Sequence, residues 1–252
     1  MNCLAPERHP ISPGGIRWRS VLTRLVGRAL LAALLLPLTA AAETIAIVGT
    51  GSVGGALGPE FAALGHTVVY GSRDPEQEKV ADLVARTGRG ASAGSPAEAA
   101  AAARIVVLAV PGLLVEEITR GLGDLGGKIV IDPTNPLIWN EDGSIELAEG
   151  PSNSERIRDT APGARVVKAF NTLNWRTMVD PGISGGPVSI PLAGDDEAAK
   201  RAVAELATGL GLEPVDVGPL TNARYLEGMA VLLLTNRLGD GPDFDFHLRP
   251  LP

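Results

Sequence analysis

The chemistry of this 252-residue chain begins at Gly49-Thr50-Gly51-Ser52-Val53-Gly54. Gly49 permits a tight turn, Gly51 lets the backbone approach a pyrophosphate, and Gly54 lets a following helix lie close on the preceding strand. Where a helix starts, its first N–H groups lack intrahelical partners and carry a partial positive charge of about 0.5, so the chemistry on offer is anion binding. A second group stands at Gly71-Ser72-Arg73. A dinucleotide with a free ribose 2′-hydroxyl is commonly held by an acidic residue about 20 positions after the glycines. Here a hydroxyl and a guanidinium occupy that place, and they suit a 2′-phosphate. The expected cofactor is therefore NADP(H) rather than NAD(H). The competing reading makes Arg73 a solvated loop charge paired with Asp74.

These groups need a scaffold, and the flanking pattern supplies one. Thr44 to Val48 reads as a strand; Val53, Ala56, Leu57, Phe61 and Leu64 keep one helix face apolar; Gly65 stops the helix and Thr67 to Tyr70 resumes a strand. Arg104 to Val110 and Lys128 to Ile131 are apolar on both faces, as strands in the middle of a covered parallel sheet are. Ligands of such sheets bind beyond the carboxyl ends of the strands, which brings Ala109, Val110 and Pro111 to the border of the cofactor, unless they form a turn without contact. The second strand delivers Asp132-Pro133-Thr134-Asn135-Pro136 to the same edge; Asn135 there is a nicotinamide or substrate contact, or else a structural Asn-Pro turn. Lys168, inside the strand Arg165 to Phe170, invites comparison with the lysine of hydroxyacid dehydrogenases but is expected to span the pleat to solvent.

The other elements follow from the same rules. A polar helix is expected over Pro75 to Arg86, an edge strand over Ala91 to Ala93, and a capping box, Ser95-Pro96-Ala97-Glu98, opens a helix through Ala103. Leu113 to Leu122 and Asn153 to Thr160 read as helices, Leu137 to Ser152 as an exposed excursion, and Thr177 to Gly186 as a Pro/Gly loop. Strands at Val188 to Ala193 and Leu212 to Val217 flank an amphipathic helix, Asp195 to Thr208. In the last helix, Arg224 to Leu238, the Met229 to Leu234 part is apolar almost all round and is expected to be buried between domains or subunits. The fold class is α/β: a Rossmann doubly wound, mostly parallel sheet over residues 43–175, with a small C-terminal α/β extension over 176–252.

Residues 1–42 read as a secretory signal or an uncleaved anchor, with five arginines, one acid and the uncharged run Ala29 to Ala42. As a helix that run would reach about 21 Å, short of a hydrocarbon core of about 30 Å. The chain carries 22 basic and 29 acidic residues; without the leader's five and one, 17 and 28 remain, a net of −11. Such a body repels nucleic acid and anionic lipid, so membrane contact is expected only through an uncleaved leader. The single cysteine, Cys3, lies in the leader, and two histidines remain, His66 and His247, so no metal site is expected. Export to the periplasm is the expectation if the leader is used, with the cytoplasm as the alternative.

Taken in order, GTGSVGGALG, VVYGSRDP, VVLAVP, IDPTNPL, VVKAFNT and VDVGPLTNARYLEGMA resemble the family of NADP oxidoreductases that use the deazaflavin coenzyme F420. The resemblance implies an N-terminal Rossmann domain and a C-terminal part that closes the site and supports a homodimer. It also implies pyrophosphate at Thr50, Gly51, Ser52 and Val53, the 2′-phosphate at Ser72 and Arg73, and the nicotinamide end at Ala109 to Pro111. The implied reaction is hydride transfer between NADPH and a deazaflavin or other flavin-type acceptor. The alternatives are a reductase of small carbonyls or imines, with Lys168, Asn135 and Asn171 as candidate proton donors, and a non-catalytic NADP-binding module. Members of the family are ordinarily cytoplasmic, whereas this chain begins like an exported one, and Arg17-Trp18-Arg19 lacks the adjacent pair of a twin-arginine signal.

Overall fold

In a computed structural model, residues 42–238 and 244–249 are described. The leader, Ala42 excepted, lies outside them, as does Cys3. The chain builds β1 (Thr44–Val48), α1 (Ser52–Ala63), β2 (Thr67–Gly71), α2 (Glu78–Thr87), β3 (Ser92–Gly94), α3 (Pro96–Ala102), β4 (Ile105–Leu108), α4 (Val115–Arg120) and β5 (Ile129–Asp132). Then come the strands β6 (Leu137–Trp139) and β7 (Ile145–Leu147), α5 (Asn153–Thr160), β8 (Arg165–Lys168), α6 (Trp175–Val179), β9 (Ser189–Gly194), α7 (Glu197–Gly209), β10 (Glu213–Asp216) and α8 (Ala223–Leu238).

Eight strands form one sheet in the order β10-β9-β8-β5-β4-β1-β2-β3, with every pairing parallel except β8 with β9. The central strands are apolar throughout because both faces are covered. Ile45 and Ile47 pack into the cluster that holds Leu57, Phe61 and Val203, while Ala46 and Val48 pack into the opposite one with Ala99, Leu108 and Ile157. Each Val, Leu, Ile and Phe among them contributes about 1.5–3 kcal/mol by leaving water. From β1 the chain steps outward to β2 and β3, then returns so that β4 lies on the far side of β1. Connections therefore leave β1 and β4 in opposite directions, and a crevice opens between their carboxyl ends.

The C-terminal strands extend this same sheet. β8 and β9 meet antiparallel through Val167 opposite Gly194 and Lys168 opposite Ala193, and β10 lies parallel to β9. Lys200 ties the two C-terminal layers, pairing with Glu197 at 2.8 Å and with Asp216 of β10 at 2.7 Å. Residues 244–249 return to β9, where the Ser189 N–H donates to the Phe246 carbonyl at 3.0 Å.

Local expectations and structure differ in four places. The excursion after Leu137 contains an antiparallel hairpin, β6 with β7, whose polar residues hide the strand pattern. The expected loop after Thr177 begins inside α6 and continues as a 3-10 turn, Pro181–Ser184, because Asn174 caps the first turn by accepting from the Arg176 N–H. The helix expected from Leu113 starts as a 3-10 turn, Gly112–Leu114, before α4. Lys168 does not reach solvent: it is fully buried, since α8 and the loop after β5 cover the end of its strand. The capping box at Ser95 forms as expected, and a second one, Ser152 with Glu155, starts α5.

Candidate functional site

α1 follows β1 after three residues, and its first hydrogen bond runs from the Gly55 N–H to the Gly51 carbonyl at 2.7 Å. The amides before Gly55 have no carbonyl in the helix to donate to. Gly49 sits at φ 104°, its N–H donates to Gly71 O at 2.9 Å, and a Cβ on it would come within 2.1 Å of the Ala109 carbonyl. This one residue thus draws together the ends of β1, β2 and β4. A Cβ on Gly54 would lie 2.1 Å from Gly49 O, so the helix rests on the turn itself. At Gly51 a Cβ would meet nothing within 4 Å, leaving an open backbone face for a ligand.

That face looks onto a cleft of about 750 Å³, within the range of small-molecule sites. Gly49, Thr50, Gly51, Ser72, Arg73, Ala109, Val110 and Pro111 line it. Ser52, Val53 and Gly54 are not in its wall; they make the first turn of α1, with Gly54 buried against β1. Asn135 is not in the wall either. Its amide nitrogen donates to the Asn171 carbonyl at 3.0 Å, and its oxygen accepts from the Asn171 amide at 2.9 Å.

The β2 side of the cleft is lined by two cations, Arg73 and Lys79, and one acid, Asp74. Arg73 is exposed and forms no ion pair with Asp74; Asp74 instead shares two backbone hydrogen bonds with the Ser72 hydroxyl, at 3.0 and 3.2 Å. Lys79, in the first turn of α2, lines the same wall. Sequence reasoning missed it, since nothing in its spacing from Arg73 marks a shared site. The opposite side carries Leu114, Glu117 and Ile118 beyond Pro111.

Behind Pro111 lies a buried ionic cluster. Lys168 Nζ donates to Asp132 Oδ2 at 2.9 Å, to the Thr134 carbonyl at 2.5 Å and to Glu227 Oε1 at 2.7 Å. Asp132 also accepts from the Thr134 N–H (2.9 Å), the Thr134 hydroxyl (2.6 Å) and the Ser154 hydroxyl (2.6 Å). Asn153 joins the cluster to the cleft: its N–H donates to Glu227 Oε1 at 2.9 Å and its amide to the Gly112 carbonyl at 2.9 Å. Burial pushes the Glu227 carboxyl above the usual range and the nearby Asp132 charge adds to this, against the pull of Lys168. One signal could have revealed the cluster: Asp132, Lys168 and Glu227 are single charges in otherwise apolar segments, and buried charges come paired.

The residues present fit a phosphorylated dinucleotide: an open glycine face at free helix amides, and two cations one loop away. Fold and cleft define the class of this protein, an NADP-dependent oxidoreductase on a Rossmann sheet. The profile of the family described as NADP oxidoreductase, coenzyme F420-dependent, matches residues 44–136. The F420-dependent NADP reductase of Methanothermobacter thermautotrophicus is 32% identical over 206 residues, 75% of this chain and 87% of that protein. The chain belongs to this family. The crystal structure of a protein assigned as an F420-dependent NADP reductase from Arthrobacter sp. FB24 matches with a TM-score of 0.71 and 34% identity, over 77% of this chain and 92% of that one. The metalloreductase STEAP3 of Rattus norvegicus is 29% identical over 194 residues, 77% of this chain but 37% of that protein, so the chain spans little more than a third of that relative's length.

Proposed function

We propose that this protein transfers hydride between NADP(H) and a deazaflavin such as coenzyme F420, or another flavin-type acceptor. The observation that carries the reading is the asymmetry of the cleft, with Arg73 and Lys79 beside one acid, Asp74, at one end, and the mainly apolar Pro111, Leu114 and Ile118 with Glu117 at the other. When bound, NADPH supplies the hydride, which passes directly from carbon to carbon, so alignment matters more than acid–base groups. The amides at the start of α1 would hold the pyrophosphate, Ser72, Arg73 and Lys79 would take the 2′-phosphate, and Ala109, Val110, Pro111 and Leu114 would exclude water beside the ring.

The state of the candidate proton donors supports a flavin over a carbonyl or imine. Lys168 is buried with three acceptors around its ammonium, the Asn135 amide donates to the Asn171 backbone carbonyl, and the Asn171 amide donates to Asn135 Oδ1 and the Leu226 carbonyl. The test is to mix the protein with NADPH and F420, free flavins, or a carbonyl and imine panel while following the nicotinamide absorbance. Oxidation with flavins alone is expected. Oxidation with carbonyls alone overturns the assignment, and tight binding without turnover makes the chain a nucleotide-binding module.

Two further readings belong here. A homodimer is proposed through the exposed apolar side chains of α8, Tyr225, Leu232 and Leu238; sedimentation of the purified chain checks it. Export is proposed from the basic and apolar leader; N-terminal sequencing of the protein from cells checks it. No helix among the described residues is long and apolar enough to cross a membrane.

A further inference from the structure

Two carboxylates share one ammonium in the cluster behind Pro111, and all three side chains are buried at 0–2% exposure. If both acids were ionised, the cluster would carry one excess negative charge out of reach of water, at a cost of several kcal/mol. One acid must therefore hold a proton over part of the pH range, and the hydrogen bonds say which. Asp132 accepts from four donors spread over both its oxygens. Glu227 accepts from two, both at Oε1.

Glu227 is also the contribution of α8 to this cluster. Asp132 and Lys168 end strands of the sheet, whereas Glu227 and its neighbour Leu226 fasten the helix, the latter through its carbonyl to the Asn171 amide at 2.9 Å. From Glu227 the path to the cleft is short: through Asn153 to the carbonyl of Gly112, between the wall residues Pro111 and Leu114. Gly112 packs closely on the loop after β5, where a Cβ would lie 1.9 Å from the Asn135 carbonyl.

We propose that Glu227 is a positioning residue: protonated, it clamps α8 and the Gly112 turn onto the acceptor end of the cleft, and loss of that proton loosens both. The charged groups against it are Lys168 on β8 and Asp132 on β5. On its own helix Arg224 is exposed. On the other elements packed on α8, Glu146 of β7 is exposed, Glu155 of α5 is bound to Ser152, Arg156 of α5 is bound to the Glu149 and Pro151 carbonyls, and Arg158 and Asp159 of α5 pair with each other. β9 carries no titratable side chain. Because the folded carboxyl titrates above its free-chain value, its stabilisation is complete at low pH and fades as pH rises through the folded value.

The inference rests on the hydride-transfer reading only for its effect on turnover, so its test begins without any acceptor. Amide exchange is followed across pH in the wild-type chain, Glu227→Gln and Asn153→Ala. In the wild type, exchange of residues 223–230 and 112–115 should rise together by about tenfold with increasing pH, beyond the intrinsic chemical trend. Glu227→Gln should keep the protected, low-pH behaviour throughout. Asn153→Ala should keep the response of α8 while residues 112–115 cease to follow it. A Glu227→Gln profile that overlays the wild type overturns the proposal.

Should Glu227→Gln fail to fold, infrared spectroscopy of the wild type reads the same step. A protonated carboxyl band should vanish in the pH window in which α8 loosens, and its absence at low pH overturns the proposal. With NADPH and a working acceptor, the wild-type turnover should fall in that window while NADPH affinity changes less than about twofold. Absence of any NADPH binding refutes the functional reading and leaves the exchange result to judge the clamp.

Discussion

Two cations in this protein live in opposite circumstances. Arg73 is exposed at the mouth of the cleft and has no ion pair with its acidic neighbour, while Lys168 is sealed in the core with two carboxylates and a carbonyl around it. Lys168 is a matched charge: its partners are supplied by the fold, and removing it leaves others exposed to a desolvation cost. Arg73 is unmatched, and the bare helix amides beside it are unmatched in the same sense. An unmatched charge in a concave site is where a ligand of opposite sign completes the structure. A matched one positions what surrounds it.

The largest way to break this contrast is Lys168→Met. It leaves Asp132 and Glu227 facing each other without the ammonium, and urea unfolding should show a loss of about 3–5 kcal/mol; adding Glu227→Gln in the same chain should recover part of it. Arg73→Ala should do the reverse, leaving stability nearly intact but weakening NADPH binding by about 1.5–3 kcal/mol in calorimetry, with NADH nearly unchanged. Equal loss for both nucleotides would place Arg73 outside the 2′-phosphate site. Lys79→Ala should weaken NADPH by a further but smaller amount, about 1 kcal/mol, and its effect should shrink with added salt because the side chain is exposed. At the bottom of the scale, Arg120→Ala removes the exposed 2.8 Å pair with Glu116. It should shift stability by no more than about 0.5 kcal/mol and leave nucleotide affinity alone.

The two regions were not equally legible. The glycine turn could be read because its requirements are local: a positive φ at Gly49 and close packing at Gly54 each exclude a side chain, while Gly51 keeps a bare face toward the cleft. The strands through Ile45, Val106 and Val130 were legible for the same kind of reason, since burial on both faces writes itself as an unbroken apolar run. Lys168 was misread. Strand periodicity says that a residue faces one side of the sheet, but not what lies on that side, and here it is a helix that starts 55 residues later. The pairing of Asn135 with Asn171, across 36 residues, was out of reach for the same reason.

Sequence alone therefore determined the order of strands and helices through the first half, the glycine turn between β1 and α1, and the family to which the chain belongs. The first two depend on backbone freedom or periodicity within a few residues. Tertiary structure alone decided which charges are satisfied. Asp132, Lys168 and Glu227 lie on three separate segments, and they become one cluster because folding removes the water that would otherwise have served each of them separately.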